Sequence, residues 1–362
     1  MRYIVVGAGG IGGLQGAWMA RNGVDITFVD KWQKHVDAIN SNGLFVDGSR
    51  GVYRFTVPSV TPNQLSSLEP LEVVIVAVKS HDTRAALEEL VPYSTKDTMF
   101  VSMQAGMNLP IFEEVVGAER TIGADPNYGG ALVDPGHIEA GFPNYIHIGE
   151  MDGRLTERLR LLQVALNHFT PTIMTDNITG TVWSKFVYCS QIMATATSDL
   201  PSGESLRATE DKLVAGALVR ESVMLADALG IELEPFDFFD PTPYRVETAD
   251  ETDGLLLWME HAWPRHEVFR EFSNHDFVKK GSGLSWDIQY RKRKTESAAM
   301  MEEMIKEADR IGMEMPLNKK LLSVISEIEA GTRPLSNDNF RTLEAYIEEM
   351  GMALPVQGKR FS

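Results

Sequence analysis

The sequence contains a single cysteine and no long apolar segment, and each absence excludes a class of protein. Because Cys189 has no second cysteine to pair with, the chain cannot form an internal disulfide, which fits a reducing compartment. No run approaches about 18 consecutive apolar residues, so no membrane-spanning helix is predicted. The N-terminal residues lack the basic segment, apolar run and cleavage site of a secretory signal. We therefore expect a cytoplasmic protein that does not associate with a membrane.

Positive charge is also scarce in this sequence. The 34 Lys and Arg residues face 51 Asp and Glu, and the formal net charge of −17 opposes nucleic acid as a partner, although not a small anionic substrate. The densest basic cluster, residues 291–294, is either the solvated face of a helix or a contact to a phosphate or carboxylate. His261 and His266 do not follow the H-E-x-x-H pattern of a zinc helix, so we predict no metal site.

A glycine-rich turn directly follows a short apolar run at the N-terminus. Gly7, Gly9 and Gly12 form the pattern G-x-G-x-x-G between a predicted strand and a predicted helix. The first glycine permits a tight bend, the second lets the backbone approach a pyrophosphate, and the third lets the helix pack close to the strand. Unpaired N–H groups at the helix N-terminus then bind the phosphates. We predict that Gly7, Gly9, Gly10, Ile11 and Gly12 hold a dinucleotide; the alternative is a purely structural turn.

An acidic residue, Asp30, ends the second apolar run of the chain. A carboxylate about 20 residues after such a glycine pattern accepts hydrogen bonds from a ribose of NAD and repels the 2′-phosphate of NADP. Lys31 and Lys34 follow closely and can weaken that repulsion. We predict NAD as the preferred cofactor, with NADP as the alternative. The other interpretation is an acid that merely caps the next turn.

Short apolar runs and amphipathic stretches alternate through the first half of the chain. Residues 73–78 form a continuous β-branched run, typical of a parallel strand buried on both faces. Further strands are predicted at 99–103, 120–123, 136–140, 145–149 and 172–175, and helices at 13–22, 34–41 and 83–90. This βαβ series predicts an α/β fold with a doubly wound Rossmann sheet. We assign residues 1–177 to this dinucleotide-binding domain.

The second half of the chain has helical periodicity. An apolar stripe just before this half predicts a helix that Pro171 ends. The residues of the stripe are Leu155, Leu159, Leu162, Leu166 and Phe169. Beyond residue 178, helices are predicted at 180–198, 207–229, 254–272, 282–311, 317–330 and 336–350. Gly230, Gly312 and Gly331 follow helix ends as C′ residues. We assign residues 178–362 to an all-α domain for substrate binding and dimerisation.

A lysine, Lys185, lies early on a markedly apolar helix, beside Trp183 and Phe186. Burial disfavours the charged ammonium, so a partly buried lysine is suited to donating a proton to a substrate oxygen and to holding a carboxylate. The alternative is a lysine whose alkyl chain coats the helix while its ammonium stays in water. The pattern alone leaves both interpretations open.

Several segments, in order along the chain, follow the pattern of one known family. They are residues 7–12, 76–79, 104–106, 127–130, 135–137, 148–149, 183–185, 282–287 and 295–296. Together they resemble the ketopantoate reductase family, the 2-dehydropantoate 2-reductases. The resemblance implies an N-terminal Rossmann domain, an all-α domain of the 6-phosphogluconate dehydrogenase C-terminal type and an active site in the cleft. It also implies an NAD(P)-dependent oxidoreductase.

The resemblance further implies roles for individual residues. Lys185 is implied as the general acid, and Glu296 and Ser282 as residues that orient the substrate. Lys79 and Gln104 are implied near the cofactor. Asn127 is assigned to the substrate site, together with Ser282.

The chain also departs from the family pattern. The family places asparagines at the positions of Ala105, Cys189 and Met193, and a basic residue at that of Asp30. Because a site that has lost such amides discriminates less well in favour of a hydroxylated substrate, we predict a more apolar pocket with Cys189 and Met193 in its wall. The expected protein is a divergent, NAD-preferring homodimer acting on a hydroxy acid or aryl alcohol. The alternatives are 2-dehydropantoate 2-reductase proper, which uses NADPH in pantothenate biosynthesis, and a non-catalytic NAD-binding protein.

Overall fold

The computed structural model describes residues 1–141, 144–200, 202–236, 239–262, 288 and 297–356. By internal contacts the chain divides into two compact units, the first comprising Met1–Val182 and the second most of the remainder. The predicted domain boundary at 177/178 lies a few residues before this division and stays a prediction. Across the described ranges, no helix is both long and apolar enough to cross a membrane.

The first unit contains twelve strands and five α-helices among its described residues. The strands are β1 (Tyr3–Val6), β2 (Ile26–Val29), β3 (Leu44–Gly48), β4 (Tyr53–Phe55), β5 (Ser59–Val60), β6 (Leu71–Val76), β7 (Ser94–Met103), β8 (Thr121–Pro126), β9 (Gly130–Asp134), β10 (His137–Ala140), β11 (Ile146–Glu150) and β12 (Thr172–Met174). The helices are α1 (Gly12–Arg21), α2 (Gln33–Asn42), α3 (Thr83–Leu90), α4 (Leu109–Val116) and α5 (Glu157–Leu166).

Eight of these strands form one sheet in the order β12-β11-β8-β7-β6-β1-β2-β5. All neighbours are parallel except β8 and β11. The order from β5 to β8 is that of a Rossmann sheet, so the predicted doubly wound fold is confirmed. The strand order reverses at β1, which pairs with β2 on one side and β6 on the other. Ligands of such sheets bind at the carboxyl ends of the strands beside this reversal.

Both faces of the sheet are buried, as the continuous apolar runs predict. On one face, Val5 and Ile75 belong to a core that also contains residues of α1 and α5. On the other, Ile4 and Val74 pack with residues of α3 and α4. Burying each of these side chains contributes roughly 1.5–3 kcal/mol, so the central strands β1 and β6 form a rigid base for the loops that follow them.

A second, four-stranded sheet has the order β4-β3-β10-β9. Of its strands, only β10 was predicted from the sequence. β3, β4 and β9 were missed because they are short and partly exposed, and so lack a continuous apolar run. This sheet packs against α1: a Cβ added at Gly13 would lie 2.5 Å from the Ile138 side chain.

The helix predicted from the apolar stripe is α5, and it starts later than expected. Thr156 is its N-cap, and its side chain accepts a hydrogen bond from the Leu159 N–H. Leu159, Leu162 and Leu166 are buried as predicted. Leu155 precedes the cap and is 48% exposed, so its assignment to the buried stripe was wrong.

Among the described residues of the second unit, the regular elements are all helices, apart from one isolated bridge between Phe236 and Phe239. Its helices, the first of which starts in the first unit, are α6 (Ile178–Ala196), α7 (Ser202–Ser205), α8 (Thr209–Ala228), α9 (Ala249–Ala262), α10 (Ser297–Arg310), α11 (Pro316–Glu329) and α12 (Asp338–Glu349). The predicted all-α domain is therefore confirmed. The C′ glycines have φ angles of 70°, 71° and 73°, as predicted. The start of α9 was placed five residues too late.

Helix α8 is buried on most of its faces and organises the second unit. Its Glu221 carboxylate accepts hydrogen bonds from the backbone N–H groups of Leu317 and Asn318, at 3.1 and 2.8 Å, and so caps the start of α11. The Ser222 hydroxyl lies 2.9 Å from that of Ser190 on α6. A buried polar contact thus fixes the helix that carries Lys185 against α8.

Candidate active site

The glycine-rich turn, residues 7–12, connects β1 to α1 at the carboxyl end of the central strand. Gly7 has a φ of +94°, a conformation that side chains rarely adopt, and a Cβ there would lie 2.9 Å from the Ala77 backbone. A Cβ at Gly9, in contrast, would meet nothing within 4 Å. Gly7 therefore permits the tight turn, whereas Gly9 faces open space where a ligand has room to approach.

The other glycines of this turn allow close packing. A Cβ at Gly12 would lie 2.3 Å from the Gly7 carbonyl oxygen and 2.7 Å from the Val5 side chain, so the helix approaches the strand as predicted. A Cβ at Gly10 would lie 2.2 Å from the Gly130 carbonyl oxygen. Gly10 thus has a packing role against β9, and its predicted contact with the cofactor stays a prediction, as does that of Ile11.

The N-terminus of α1 is suited to an anion. Ile11 at the N-cap position makes no side-chain capping hydrogen bond, and the first turn contains no acidic residue. The first N–H groups of a helix have no partner within the helix, and their partial positive charge favours phosphate. The turn and the helix start together fit the pyrophosphate of a dinucleotide.

Asp30, at the end of β2, is half-buried and hydrogen-bonded to two backbone groups. Its Oδ2 accepts from the Ala8 N–H at 2.9 Å, and its Oδ1 accepts from the Trp32 N–H at 2.9 Å. The second bond is the turn-capping contact that the sequence left open as an alternative. Each carboxylate oxygen has a further lone pair, so both oxygens can still accept a ribose hydroxyl.

A salt bridge links the loop after β2 to the loop after β6. The Lys31 Nζ lies 2.7 Å from an Asp82 oxygen, and the two side chains are 73% and 31% exposed. Lys31 was expected to weaken the repulsion of an NADP 2′-phosphate. Its ammonium is instead paired with a carboxylate, which reduces the charge it presents.

Lys79 and Gln104 follow β6 and β7 at the same edge of the sheet. Lys79 is exposed, whereas Gln104 is only 6% exposed. The Gln104 amide donates to the Val78 carbonyl at 2.7 Å and to the Thr83 hydroxyl at 2.8 Å. Its Oε1 is buried and has no hydrogen-bond partner among the described residues, so an acceptor remains there.

Three polar residues beneath these loops were missed by the sequence analysis. The Thr83 hydroxyl donates to Asn108 Oδ1 at 3.1 Å. The Asn108 amide and the Ser80 hydroxyl each donate to the Ala105 carbonyl oxygen at 2.9 Å. Because Asn108 and Thr83 are fully buried, this network fixes the two loops in one arrangement.

Asn127 follows β8, so it too lies at the carboxyl edge of the sheet. Its amide donates to the Asp125 carboxylate at 2.8 Å, and its backbone N–H donates to the Tyr145 carbonyl at 2.9 Å. The neighbouring Tyr128 donates its hydroxyl to the Ile11 carbonyl at 3.1 Å. Burial raises the pKa of Tyr128, which keeps this donor protonated. The segment therefore supports the glycine-rich turn, and Asn127 as a substrate residue stays a prediction.

In the helical unit, three predicted site residues lie along α6. Lys185 and Cys189 are half-buried, and Met193 is 2% exposed. The hydroxyl of the adjacent Ser184 accepts from the Glu234 N–H at 2.7 Å, which anchors the start of this segment. The roles of these three residues stay predictions.

Several predicted features lie outside the described residues. They are Ser282, Glu296, His266 and the basic cluster at 291–294.

Comparison with known proteins identifies one family across both units. Residues 3–153 match the family described as Ketopantoate reductase PanE/ApbA, and residues 177–329 match Ketopantoate reductase PanE/ApbA C terminal. A 2-dehydropantoate 2-reductase from Archaeoglobus fulgidus is 28% identical over 291 residues, covering 79% of this chain and 92% of the relative. An uncharacterised oxidoreductase from Bacillus subtilis is 24% identical over 241 residues, covering 65% and 78%.

Solved structures show the same fold at low sequence identity. A PanE/ApbA family ketopantoate reductase from Ralstonia eutropha superposes with a TM-score of 0.72 at 21% identity, over 91% of this chain and 99% of that one. A D-mandelate dehydrogenase in complex with NADH and anilino(oxo)acetate gives a TM-score of 0.74 at 16% identity, with the same coverage.

Proposed function

The chain belongs to the ketopantoate reductase PanE/ApbA family, and we propose that it is a dehydrogenase transferring hydride between a nicotinamide cofactor and a hydroxyl or carbonyl substrate. The observation that carries this proposal is the glycine-rich turn at the reversal of strand order. There, Gly9 faces open space and the N-terminus of α1 has no side-chain cap. Family members of this kind are oxidoreductases, and these groups fit a dinucleotide pyrophosphate.

NAD is the preferred cofactor in this proposal. The Asp30 carboxylate ends β2, where a dinucleotide-binding fold places its ribose-binding acid. Its two bonds to backbone N–H groups hold it in place. The pairing of Lys31 with Asp82 supports the same choice, because it leaves less positive charge for a 2′-phosphate. NADP remains the alternative.

The nicotinamide, when bound, supplies or accepts the hydride. In the direction of reduction Lys185 donates a proton to the substrate oxygen, and in oxidation it accepts that proton. Glu296 and Ser282 orient the substrate, and Asn127 contacts it. Lys185 supports this role by its place on α6, where its side chain is half-buried rather than fully solvated.

The substrate we propose is a hydroxy acid or an aryl alcohol. Ala105, Cys189 and Met193 stand where the family pattern has amides, and these three side chains offer fewer hydrogen-bond partners to a hydroxylated substrate. The likeness in fold to D-mandelate dehydrogenase agrees with an aryl hydroxy acid. We further propose a cytoplasmic homodimer.

A second candidate is 2-dehydropantoate 2-reductase proper. It is favoured by the relative of that name from Archaeoglobus fulgidus, which matches most of both chains. Saturable turnover of ketopantoate with NADPH, at a higher kcat/KM than any aryl or simple hydroxy acid, would establish it.

The deciding experiment is a panel of initial rates with NAD and NADP. The panel contains hydroxy acids, aryl alcohols and pantoate in one direction, and the corresponding carbonyl compounds in the other. Lys185→Ala should lose at least about 100-fold in kcat, the usual contribution of general acid–base catalysis, with cofactor affinity unchanged. Lys212→Ala, a lysine on α8, is the matched control. Near-normal turnover by Lys185→Ala rejects its role, and cofactor binding without any turnover by the wild type supports a non-catalytic NAD-binding protein instead.

A further inference from the structure

Within the glycine-rich turn, Ala8 precedes Gly9, the glycine at which an added Cβ would meet nothing within 4 Å. Ala8 is fully buried, and both of its backbone groups are held by side chains. Its N–H donates to Asp30, as described above. Its carbonyl oxygen lies 2.9 Å from Nε2 of His35, a residue of α2 to which the sequence analysis gave no role.

The protonation of the His35 ring follows from its partners. The imidazole is 0% exposed, and its Nδ1 accepts a hydrogen bond from the Gly136 N–H at 2.9 Å. Because Nδ1 is an acceptor, the proton of the neutral ring is on Nε2. Nε2 therefore donates to the Ala8 carbonyl oxygen, which can only accept. Both ring nitrogens are used, and the ring is also stacked on Trp32 at a centroid distance of 5.9 Å.

Close packing holds the partners of the ring in place. Gly136 lies in the turn between β9 and β10 with a φ of +75°, and a Cβ there would lie 2.9 Å from the Cβ of Ala38 on α2. The ring thus joins three segments: the glycine-rich turn, α2 and the β9–β10 turn. Such a ring has little freedom to move independently of them.

We propose that His35 is a positioning residue for the dinucleotide, because it orients the Gly9 N–H. In a trans peptide the carbonyl and the following N–H point in opposite directions. With the Ala8 carbonyl directed at His35, the Gly9 N–H points away from the protein interior, on the side where the pyrophosphate is expected. This inference rests on the proposed function. It gives a buried histidine the role of orienting one of the N–H groups that bind phosphate.

Two substitutions separate the two bonds of the ring. His35→Gln places an amide N–H close to the position of Nε2, so it retains the donor to Ala8 and loses the acceptor for Gly136. His35→Asn places an amide oxygen close to the position of Nδ1, so it retains the acceptor and loses the donor. Val36→Ala, at the adjacent buried residue of α2, is the control for loss of stability without loss of either bond.

The measurements are the Kd of NADH and NADPH by fluorescence titration, the Tm, and kcat at saturating cofactor. We expect His35→Asn to raise the Kd about tenfold, which corresponds to about 1.4 kcal/mol, and His35→Gln to stay within about threefold of the wild type, because it retains the donor to Ala8. kcat at saturation should change little in either variant. Val36→Ala should lower the Tm and leave the Kd unchanged.

Two results would overturn the inference. One is a wild-type Kd in His35→Asn, and the other is a rise in Kd that follows the loss of Tm across all three variants. A wild-type protein that binds neither dinucleotide is a different outcome: it refutes the proposed function first, and this inference with it.

Discussion

Removing the charge of Asp30 should shift the cofactor preference toward NADP. Asp30→Asn retains the size and one acceptor oxygen of the side chain but removes its negative charge. At a separation of about 5 Å from a 2′-phosphate, a unit charge contributes about 1–3 kcal/mol of repulsion at partly exposed positions. The ratio of kcat/KM for NADP to that for NAD should therefore rise roughly 5- to 150-fold.

The ratio is the informative quantity because Asp30 also has a structural role. Its carboxylate accepts from Ala8 and Trp32, and an asparagine opposes one of those N–H groups with its own amide. We expect a stability loss of about 1–3 kcal/mol from the unsatisfied donor. That loss affects both cofactors equally and cancels in the ratio. Asp25→Asn, at the other end of β2, removes a charge from an exposed acid and serves as the control.

The outcome distinguishes the two interpretations of this acid. A lower Tm with an unchanged NADP to NAD ratio would show that Asp30 only caps the turn, and the reasoning for NAD would be refuted. Initial rates at several cofactor concentrations, measured at low ionic strength where exposed charges are least screened, give the ratio directly.

Two further predictions test the charge beside this acid and the glycines before it. Asp82→Asn releases Lys31 from an exposed ion pair that contributes about 1 kcal/mol or less. In initial-rate assays, kcat/KM for NADP should therefore rise about two- to fivefold, while kcat/KM for NAD changes less. An unchanged kcat/KM for NADP would show that Lys31 does not reach the cofactor. Gly10→Ala should lower the free energy of unfolding by about 1–3 kcal/mol in denaturant titrations, because its Cβ meets a backbone carbonyl of β9. Gly9→Ala should retain the wild-type Tm but weaken dinucleotide binding, because its Cβ meets nothing within 4 Å. Equal losses of stability in the two variants would contradict a packing role for Gly10 and an open ligand side at Gly9.

The fold was predictable where the sequence carries continuous signals. The β-branched run of β6 and the boundaries of α3 agree with the structure, because burial on both sheet faces and helical periodicity each leave a local pattern. β3, β4 and β9 leave none. They are three to five residues long, and their pairing depends on contacts distant in sequence, such as that between β3 and β10. Local propensity does not determine such pairings.

The candidate site divides in the same way. The glycine pattern and Asp30 were found because their spacing along the chain reflects one local strand–turn–helix unit. The hydrogen bond from Gly136 to His35 spans 101 residues of sequence, and that from Tyr128 to Ile11 spans 117. A single histidine or tyrosine at such distances has no periodicity or motif that marks it. These residues became recognisable only when the fold brought them to the turn.

The loop at Ala105 shows which part of the site differs from the family pattern. Its carbonyl oxygen accepts from Ser80 and Asn108, and both donors belong to a buried network that reaches Gln104. The backbone is therefore fixed independently of the side chain at position 105, which is an exposed methyl here and an amide in the family pattern. A change of side chain on this fixed backbone leaves the elements around the dinucleotide turn in place. The substrate proposed above, a hydroxy acid or an aryl alcohol, is therefore compatible with an intact dinucleotide turn.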